Sequence, residues 1–181
     1  MDDLAKQIER NLSAVQNRME ASARRAGRDP AEIHLVVVTK AQPPEVLSAA
    51  VQAGALIVGE NYAEEAQAKQ TILGGRLGVA WHMIGHVQSR KARLVVNDFD
   101  WVHSLDSVKL AERYHEIATE TGRRLPVLLE LNIGGEETKF GWAIPGKEAL
   151  DLLRPDFERI LSLPFLQVLG LMTMPPFTDQ P

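Results

Sequence analysis

The 181-residue sequence predicts an α/β fold, a TIM (β/α)8-type barrel of which about six βα units are present. Short apolar segments alternate with amphipathic helical patterns along the chain, which predicts βα units and a parallel sheet. That alternation alone also allows a flavodoxin-like open sheet. Each apolar segment ends on a polar residue, however, and the carboxyl ends of barrel strands converge on one mouth that carries the site. The regular polar strand ends therefore favour the barrel.

The first element is a predicted helix of about residues 2–27, because Leu4, Ile8 and Leu12 recur at helical spacing and Gly27 follows the pattern. Six predicted strands come next: "LVVVTK" from Leu35, "LIVGEN" from Leu56, "WHMIGH" from Trp81, "WVHSLD" from Trp101, "PVLLELNI" from Pro126 and "VLGLMTM" from Val168. Helices are predicted between them at 44–54, 62–73, 86–96, 107–122 and 146–162.

The last predicted strand is followed only by a few residues that end in "PPFTDQP". A complete barrel has eight strands, typically in about 250 residues. Two further βα units would need roughly 45 residues at the usual spacing. We therefore expect residues 1–181 to form a single barrel domain whose C-terminal βα units are absent from this chain, through shortening or because they come from elsewhere.

The amino-acid composition excludes several classes of protein and of chemistry. Hydrophobic residues make up 45% and charged residues 24%, as in an ordinary globular domain, and the net charge of −4 argues against a general nucleic-acid binder. The absence of cysteine excludes disulfides, thiol catalysis and cysteine-ligated metals. The start of the chain is polar rather than a signal peptide, and no apolar run reaches the length of a membrane span. We expect a cytoplasmic protein.

Lys40 is the first candidate for chemistry. It follows an apolar run, Val36 to Val38, that is plausible as a strand buried on both faces. Period-2 alternation places Lys40 on the same face as Val36 and Val38. If that face points into a barrel, partial desolvation would lower the pKa of the lysine and free its amine as a nucleophile. The alternative is a lysine at a strand end that extends into water.

Six ordered motifs resemble one known family, the YggS/PROSC pyridoxal phosphate homeostasis proteins. The motifs, between about Leu35 and Pro176, are "VVVTKAQP", "VGENYAEEAQAK", "WHMIGHVQSRKAR", "VHSLDSVKLAE", "LLELNIGGEETKFGW" and "LGLMTMPP". The resemblance implies a barrel of the pyridoxal 5'-phosphate (PLP) fold-type III class, related to the N-terminal half of alanine racemase.

The resemblance also implies a site and a function. Lys40 would form the internal aldimine, a Schiff base, with PLP. Asn61 would lie beside the cofactor ring, and His86, Ser104 and Met172 would line the pocket. The family has no established turnover reaction or catalytic residue. It is associated with intracellular vitamin B6 homeostasis, which implies PLP and PLP-dependent apo-enzymes as partners, and a monomer when the barrel is complete.

The sequence departs from the family in two respects. Gln42 stands where the family often has a second lysine. In the family, the last βα units carry the phosphate-binding groups and an arginine near the pyridine nitrogen, and the resemblance finds none of these in the 181 residues. Barrels commonly build phosphate sites from the loops after strands 7 and 8. We therefore expect this chain to hold PLP weakly or not at all.

The alternative function is a PLP-dependent, racemase-like enzyme. A racemase needs acid/base groups on both faces of the substrate carbon. The chain has only Tyr62 and Tyr114 as tyrosines, and Tyr114 is predicted mid-helix, away from the mouth. A PLP carrier is therefore favoured over the racemase, and a cofactor-free scaffold is the third hypothesis.

Three further patterns are interpreted as ordinary. His82 and His86 lack a third ligand, so no metal site is predicted. Lys139, flanked by Glu136 and Glu137 in a glycine-led loop, is predicted to be a solvated lysine rather than a group that meets the cofactor. Glu64, Glu65 and Lys69 are predicted to form exposed ion pairs on a helix surface.

Overall fold

A computed structural model of the chain describes residues 2–136, 138–144 and 146–175, and it shows an α/β protein. The helices in these residues are α1 Asp2–Arg25, α2 Pro44–Gln52, α3 Ala63–Ile72, α4 Ala92–Asp98, α5 Val108–Thr121 and α6 Lys147–Leu161, with short 3-10 helices at Pro30–Glu32 and Ser89–Lys91. The strands are β1 Val37–Val38, β2 Ile57–Glu60, β3 Ala80–Met83, β4 Trp101–Leu105, β5 Leu125–Asn132, β6 Trp142–Ala143 and β7 Leu166–Met172.

The chain divides into two compact units. The N-terminal unit comprises Met1–Glu60 and Glu64–His82, and the C-terminal unit comprises Asn61–Ala63 and Met83–Pro181. The predicted alternation of strands and helices is confirmed: a helix follows each of the first four predicted strands, and α6 follows β5 after one short additional strand.

The N-terminal unit is built on a parallel pair of strands. In β1 and β2, Val37 is in register with Val58. The start of β3 adjoins β2, where the Ala80 N–H donates to the Leu56 carbonyl at 2.9 Å. Buried side chains such as Leu47 of α2 and Trp81 of β3 pack in this unit.

The first strand corrects one expectation. It contains two residues rather than a longer run, and Val38 is 48% exposed, so the strand is not buried on both faces. The reason lies in the topology: β1 is the first strand of the sheet and, within the described residues, pairs with β2 alone. A strand at the edge of a sheet leaves one row of its backbone N–H and C=O groups unpaired, and such strands are often very short.

The C-terminal unit has the longer strands. Parallel β5 pairs with β4, where Val102 is in register with Val127, and with β7, from Leu125 opposite Leu166 to Glu130 opposite Met172. Helix α5 begins after Ser107, whose hydroxyl accepts the Leu110 N–H at 3.3 Å, and its buried side chains pack against the unit. The sixth predicted strand is thus β7.

Strand β6 was not predicted. It arises in the glycine-led segment after β5, where Trp142 is in register with Leu131. Gly141 precedes it with φ +98°, and a Cβ there would lie 2.5 Å from the Glu130 carbonyl oxygen. Only glycine allows this backbone to pass so close to β5.

No helix in the described residues is long and apolar enough to cross a membrane.

Candidate functional site

Lys40 lies in a turn of the N-terminal unit, two residues beyond β1. The side chain is exposed and forms no hydrogen bond or ion pair within the described residues. The expected partial desolvation of this amine is therefore not found. Val38, which shares a face of the strand with Lys40, is exposed as well.

A group of polar side chains, buried except for the partly exposed Glu65, lies directly behind this turn. It consists of Thr39, Glu60, Glu65 and Lys69, and we call it the Lys69 cluster. Lys69 Nζ donates to Glu60 Oε1 at 2.7 Å, and its distance to Glu65 Oε1 is 2.8 Å. The Thr39 hydroxyl also donates to Glu60 Oε1, at 2.7 Å. Glu60 is 0% and Lys69 3% exposed, so this is a buried ion pair with hydrogen bonds to its charged groups.

The structure corrects the interpretation of Lys69 as a surface residue. Its pairing with Glu65 at i,i+4 was predicted, but the side chain points into the unit rather than into solvent. The sequence signal that could have shown this is Lys69's position three residues after Ala66, on the buried face of α3. Its main partner, Glu60, ends a different element, so local spacing could not have identified it.

The other four predicted residues belong to the C-terminal unit, and three of them surround Gly85. The hydroxyl of Ser104, buried within β4, donates to the Gly85 carbonyl at 2.6 Å. Asn61 packs its backbone on Gly85 so closely that a Cβ at this glycine would lie 2.5 Å from the Asn61 carbonyl oxygen. His86 is the next residue. These contacts fix the segment that presents the imidazole.

His86 is held by two further contacts. Its Nδ1 lies 2.5 Å from Asp106 Oδ2, and its ring stacks on Phe140 with centroids 3.8 Å apart and an interplanar angle of 6°. The side chain of His86 remains 33% exposed, whereas that of Asp106 is 8% exposed. The histidine is therefore oriented by a largely buried carboxylate, with part of the imidazole open to solvent.

Glu130 of β5 adds a second carboxyl group to this region, and we call His86, Asp106 and Glu130 the His86 cluster. Burial raises the pKa of Glu130, the charge of Asp106 raises it further, and His86 lowers it. Burial and the charge of Asp106 also raise the pKa of Tyr114. A raised pKa means that this site favours the protonated form of the Glu130 carboxyl group more than water does.

Met172 ends β7 in register with Glu130, which places it beside the His86 cluster along the sheet. Asn132 ends β5, and its Nδ2 donates to the Glu136 carbonyl at 2.9 Å. Its buried Oδ1 and the buried Glu130 Oε2 have no hydrogen-bond partner among the residues that the structure describes. Buried polar atoms without hydrogen-bond partners are uncommon in proteins, and a water or a ligand can supply the missing hydrogen bond.

The expectation of a solvated Lys139 needs correction. Its Nζ lies 2.6 Å from Glu136 Oε1 and donates to the Met174 carbonyl at 3.2 Å, and the side chain is 21% exposed. The turn folds back on Asn132, which brings the lysine against the end of β7. Glu137 lies outside the described residues. Among those residues, no group of three or more His, Asp or Glu side chains is arranged to hold a metal ion.

Comparison with known proteins relates this geometry to a family. The family model for the N-terminal domain of alanine racemase matches residues 10–181. A pyridoxal phosphate homeostasis protein of Pasteurella multocida is 37% identical over 173 residues, covering 95% of this chain and 72% of the relative. One from Pseudomonas aeruginosa is 39% identical over 168 residues, covering 93% of this chain and 70% of the relative. The chain belongs to the family of pyridoxal phosphate homeostasis proteins.

Comparison with solved structures supports the same family assignment. PipY of Synechococcus elongatus without PLP has a TM-score of 0.73 and 36% identity, covering 88% of this chain and 72% of PipY. PipY with PLP bound has a TM-score of 0.71 and 34% identity, covering 90% of this chain and 72% of PipY. The family resemblance and the alanine-racemase-type barrel class predicted from the sequence are confirmed, and homeostasis is supported over the racemase.

Two side chains that lie near His86 were not identified from the sequence. Glu130 and Phe140 flank His86, but they come from β5 and from the segment after it. Neither ends a predicted strand, so the rule of polar strand ends did not select them. The roles of Lys40, Asn61, His86, Ser104 and Met172 toward a cofactor stay predictions.

Proposed function

We propose that this chain binds PLP covalently through Lys40 and takes part in intracellular vitamin B6 homeostasis as a carrier rather than an enzyme. The observation that carries the proposal is the state of Lys40. It is an exposed amine without a partner in the described residues, on a turn whose backbone is hydrogen-bonded on both sides. A 34% identical relative, PipY, has been solved with PLP bound.

The residues present fit PLP at its reactive end. PLP supplies an aldehyde, with which a lysine amine condenses, releasing one water, to give a C=N bond. Lys40 offers the primary amine that this chemistry needs.

The other residues would act by position. We assign His86 and Asn61 to contacts with the cofactor ring, since His86 presents a partly exposed imidazole that Asp106 orients. Ser104 would act through Gly85, whose carbonyl accepts its hydroxyl hydrogen. Met172 would contribute an apolar contact beside Glu130.

An absorbance titration with PLP tests the proposal, followed by borohydride reduction and intact mass. The unaltered chain should develop a Lys40-dependent band and gain the mass of one reduced adduct, mapped by peptide analysis to Lys40. Lys40→Ala should lose both, while Lys109→Ala, which removes an exposed lysine from α5, should keep both. An adduct unchanged in Lys40→Ala would refute the assignment. The titration also measures the affinity, which the sequence predicts to be weak.

A transfer assay separates the carrier from the other hypotheses. The PLP-loaded chain should restore activity to a PLP-dependent apo-enzyme, the partner class we propose. It should not exchange the α-hydrogen of amino acids for deuterium, as a racemase would. Failure to transfer would favour a scaffold, and α-hydrogen exchange would favour an enzyme. Sedimentation of the same sample measures the oligomeric state, for which we propose a monomer.

A further inference from the structure

The turn that carries Lys40 is fixed from both sides by one group of buried charges. On one side, the Thr39 carbonyl accepts from Lys69 Nζ at 2.7 Å and from the Gln42 N–H at 3.1 Å. On the other side, the Ala41 N–H donates to Glu65 Oε1 at 2.9 Å. The residues immediately before and after Lys40 are therefore bonded to the Lys69 cluster.

The backbone of this turn is strained, so it needs such contacts. Ala41 has φ +57°, a left-handed conformation that is unfavourable for a residue with a Cβ. Strained residues persist only where their surroundings hold them, and they concentrate at functional sites. The Glu65 carboxylate is the hydrogen-bond acceptor that the Ala41 amide meets in this conformation.

Lys69 connects the two sides. The same oxygen of Glu65 that accepts the Ala41 amide lies 2.8 Å from Lys69 Nζ, and this nitrogen also donates to Thr39. Glu60, with no exposed surface, anchors the ammonium from a third direction at 2.7 Å. One buried cation thus fixes the position of Glu65 and bonds directly to the backbone before Lys40.

We propose that Lys69 and Glu65 are positioning residues for Lys40, an inference that rests on the proposed function. They hold the Thr39–Ala41 turn in one strained conformation and so direct the Lys40 amine along a fixed path. A tether held in one conformation raises the effective concentration of the reactive amine. Side chains supported in this way place a reacting group more accurately than a free loop does.

The sharpest test alters Glu65, because its side chain is 28% exposed and its removal leaves the buried Glu60–Lys69 pair intact. Glu65→Ala removes the acceptor for the Ala41 amide, and Glu65→Gln keeps an acceptor oxygen. Glu45→Ala is the matched control, since Glu45 is an exposed first-turn glutamate of α2. Hydrogen exchange of the Ala41 amide, followed by NMR without PLP, reports on the turn. The rate of borohydride-trapped PLP capture at Lys40 reports on the amine.

Glu65→Ala should accelerate exchange of the Ala41 amide at least tenfold and slow capture at Lys40 by about tenfold, with the chain still folded by circular dichroism. Glu65→Gln should retain most of both properties, and Glu45→Ala all of them. Equal exchange or equal capture in Glu65→Ala and the unaltered chain would overturn the inference alone. Failure of the unaltered chain to label at Lys40 would instead overturn the proposed function, and with it the assignment of a positioning role.

Discussion

The two polar clusters of this molecule differ in how fully their charges are neutralised. In the N-terminal unit, Lys69 meets two carboxylates and a carbonyl, all within 2.8 Å. In the C-terminal unit, two carboxyl groups share the surroundings of a single histidine, and Glu130 keeps a buried oxygen without a partner. The first cluster has its cation at its centre, whereas the second has an excess of acidic groups.

The two clusters therefore suit different roles: the Lys69 cluster supports the local structure, whereas the His86 cluster has polar atoms left over for other interactions. A buried ion pair with good hydrogen bonds fixes local structure, and breaking it leaves an uncompensated charge. A cluster with unpartnered polar atoms and a raised carboxyl pKa is not neutralised by its own side chains, and such clusters occur more often at functional sites. Glu60 Oε2 also has no hydrogen-bond partner in the described part of the chain, but its other carboxylate oxygen is paired with Lys69.

The largest expected effect comes from removing the cation of the Lys69 cluster. Lys69→Met leaves Glu60 buried and uncompensated, which typically costs about 3–5 kcal/mol of unfolding free energy. Urea unfolding followed by circular dichroism measures the loss. The double variant Glu60→Leu with Lys69→Met should recover most of it, because replacing both partners of a buried pair with apolar groups is often neutral. A loss below about 1 kcal/mol in Lys69→Met would show that the pair is not the support described here.

A steric change tests the C-terminal unit. Gly85→Ala would place a Cβ 2.5 Å from the Asn61 carbonyl oxygen and 2.7 Å from its Cα, and backbone atoms cannot move aside as a flexible side chain does. We expect a loss of about 1–3 kcal/mol of unfolding free energy, because the segment that presents His86 must shift. Ser104→Ala, which deletes the bond to Gly85 without adding atoms, should lose only about 1 kcal/mol. Equal stability of Gly85→Ala and the unaltered chain would contradict the close packing.

The sequence predicts the features of the fold that depend on residues close together in the chain, and it does not predict those that depend on distant residues. The βα alternation was predictable because strands and helices impose periods of two and 3.6 residues on the chain itself. The placement of Lys40, Asn61 and His86 just beyond strands β1, β2 and β3 follows from the same patterns. The brevity of β1 was not predictable, since it depends on which strands flank it.

The contacts of the candidate site were harder to predict from the sequence, because they join residues that are far apart in the chain. Glu65 and Lys69 are four residues apart, so their pairing was visible, but Glu60 meets Lys69 only when β2 and α3 pack. Phe140 reaches His86 across more than fifty residues of chain. Burial changed Lys69 from an apparent surface residue into a structural one, and local spacing contains no measure of burial.

A titration distinguishes the two clusters further. Burial and Asp106 raise the pKa of Glu130 above its ordinary value, so its stabilising contribution is complete below about pH 4.5 and is lost as pH rises through the raised pKa. Glu130→Gln removes this titration. The free energy of unfolding of the variant, relative to the unaltered chain, should therefore increase between about pH 4.5 and neutrality. Urea unfolding across this range measures it, with the exposed Glu158→Gln as control. A relative stability that falls with pH would reverse the assigned sign.

The smallest expected effect belongs to an exposed ion pair, and it shows why the Lys69 cluster is different. Arg24 Nη2 lies 3.4 Å from Glu20 Oε2 on α1, with side chains 72% and 53% exposed. Arg24→Met should cost only about 0.3–0.5 kcal/mol at low salt. At about 1 M salt the screening length falls to about 3 Å, so this cost should vanish in urea unfolding. The cost of Lys69→Met should persist at the same salt, because counterions cannot reach a 0% exposed carboxylate. If both losses declined together, the charges of the Lys69 cluster would be acting from the surface, and its role in holding the Lys40 turn would lose its physical basis.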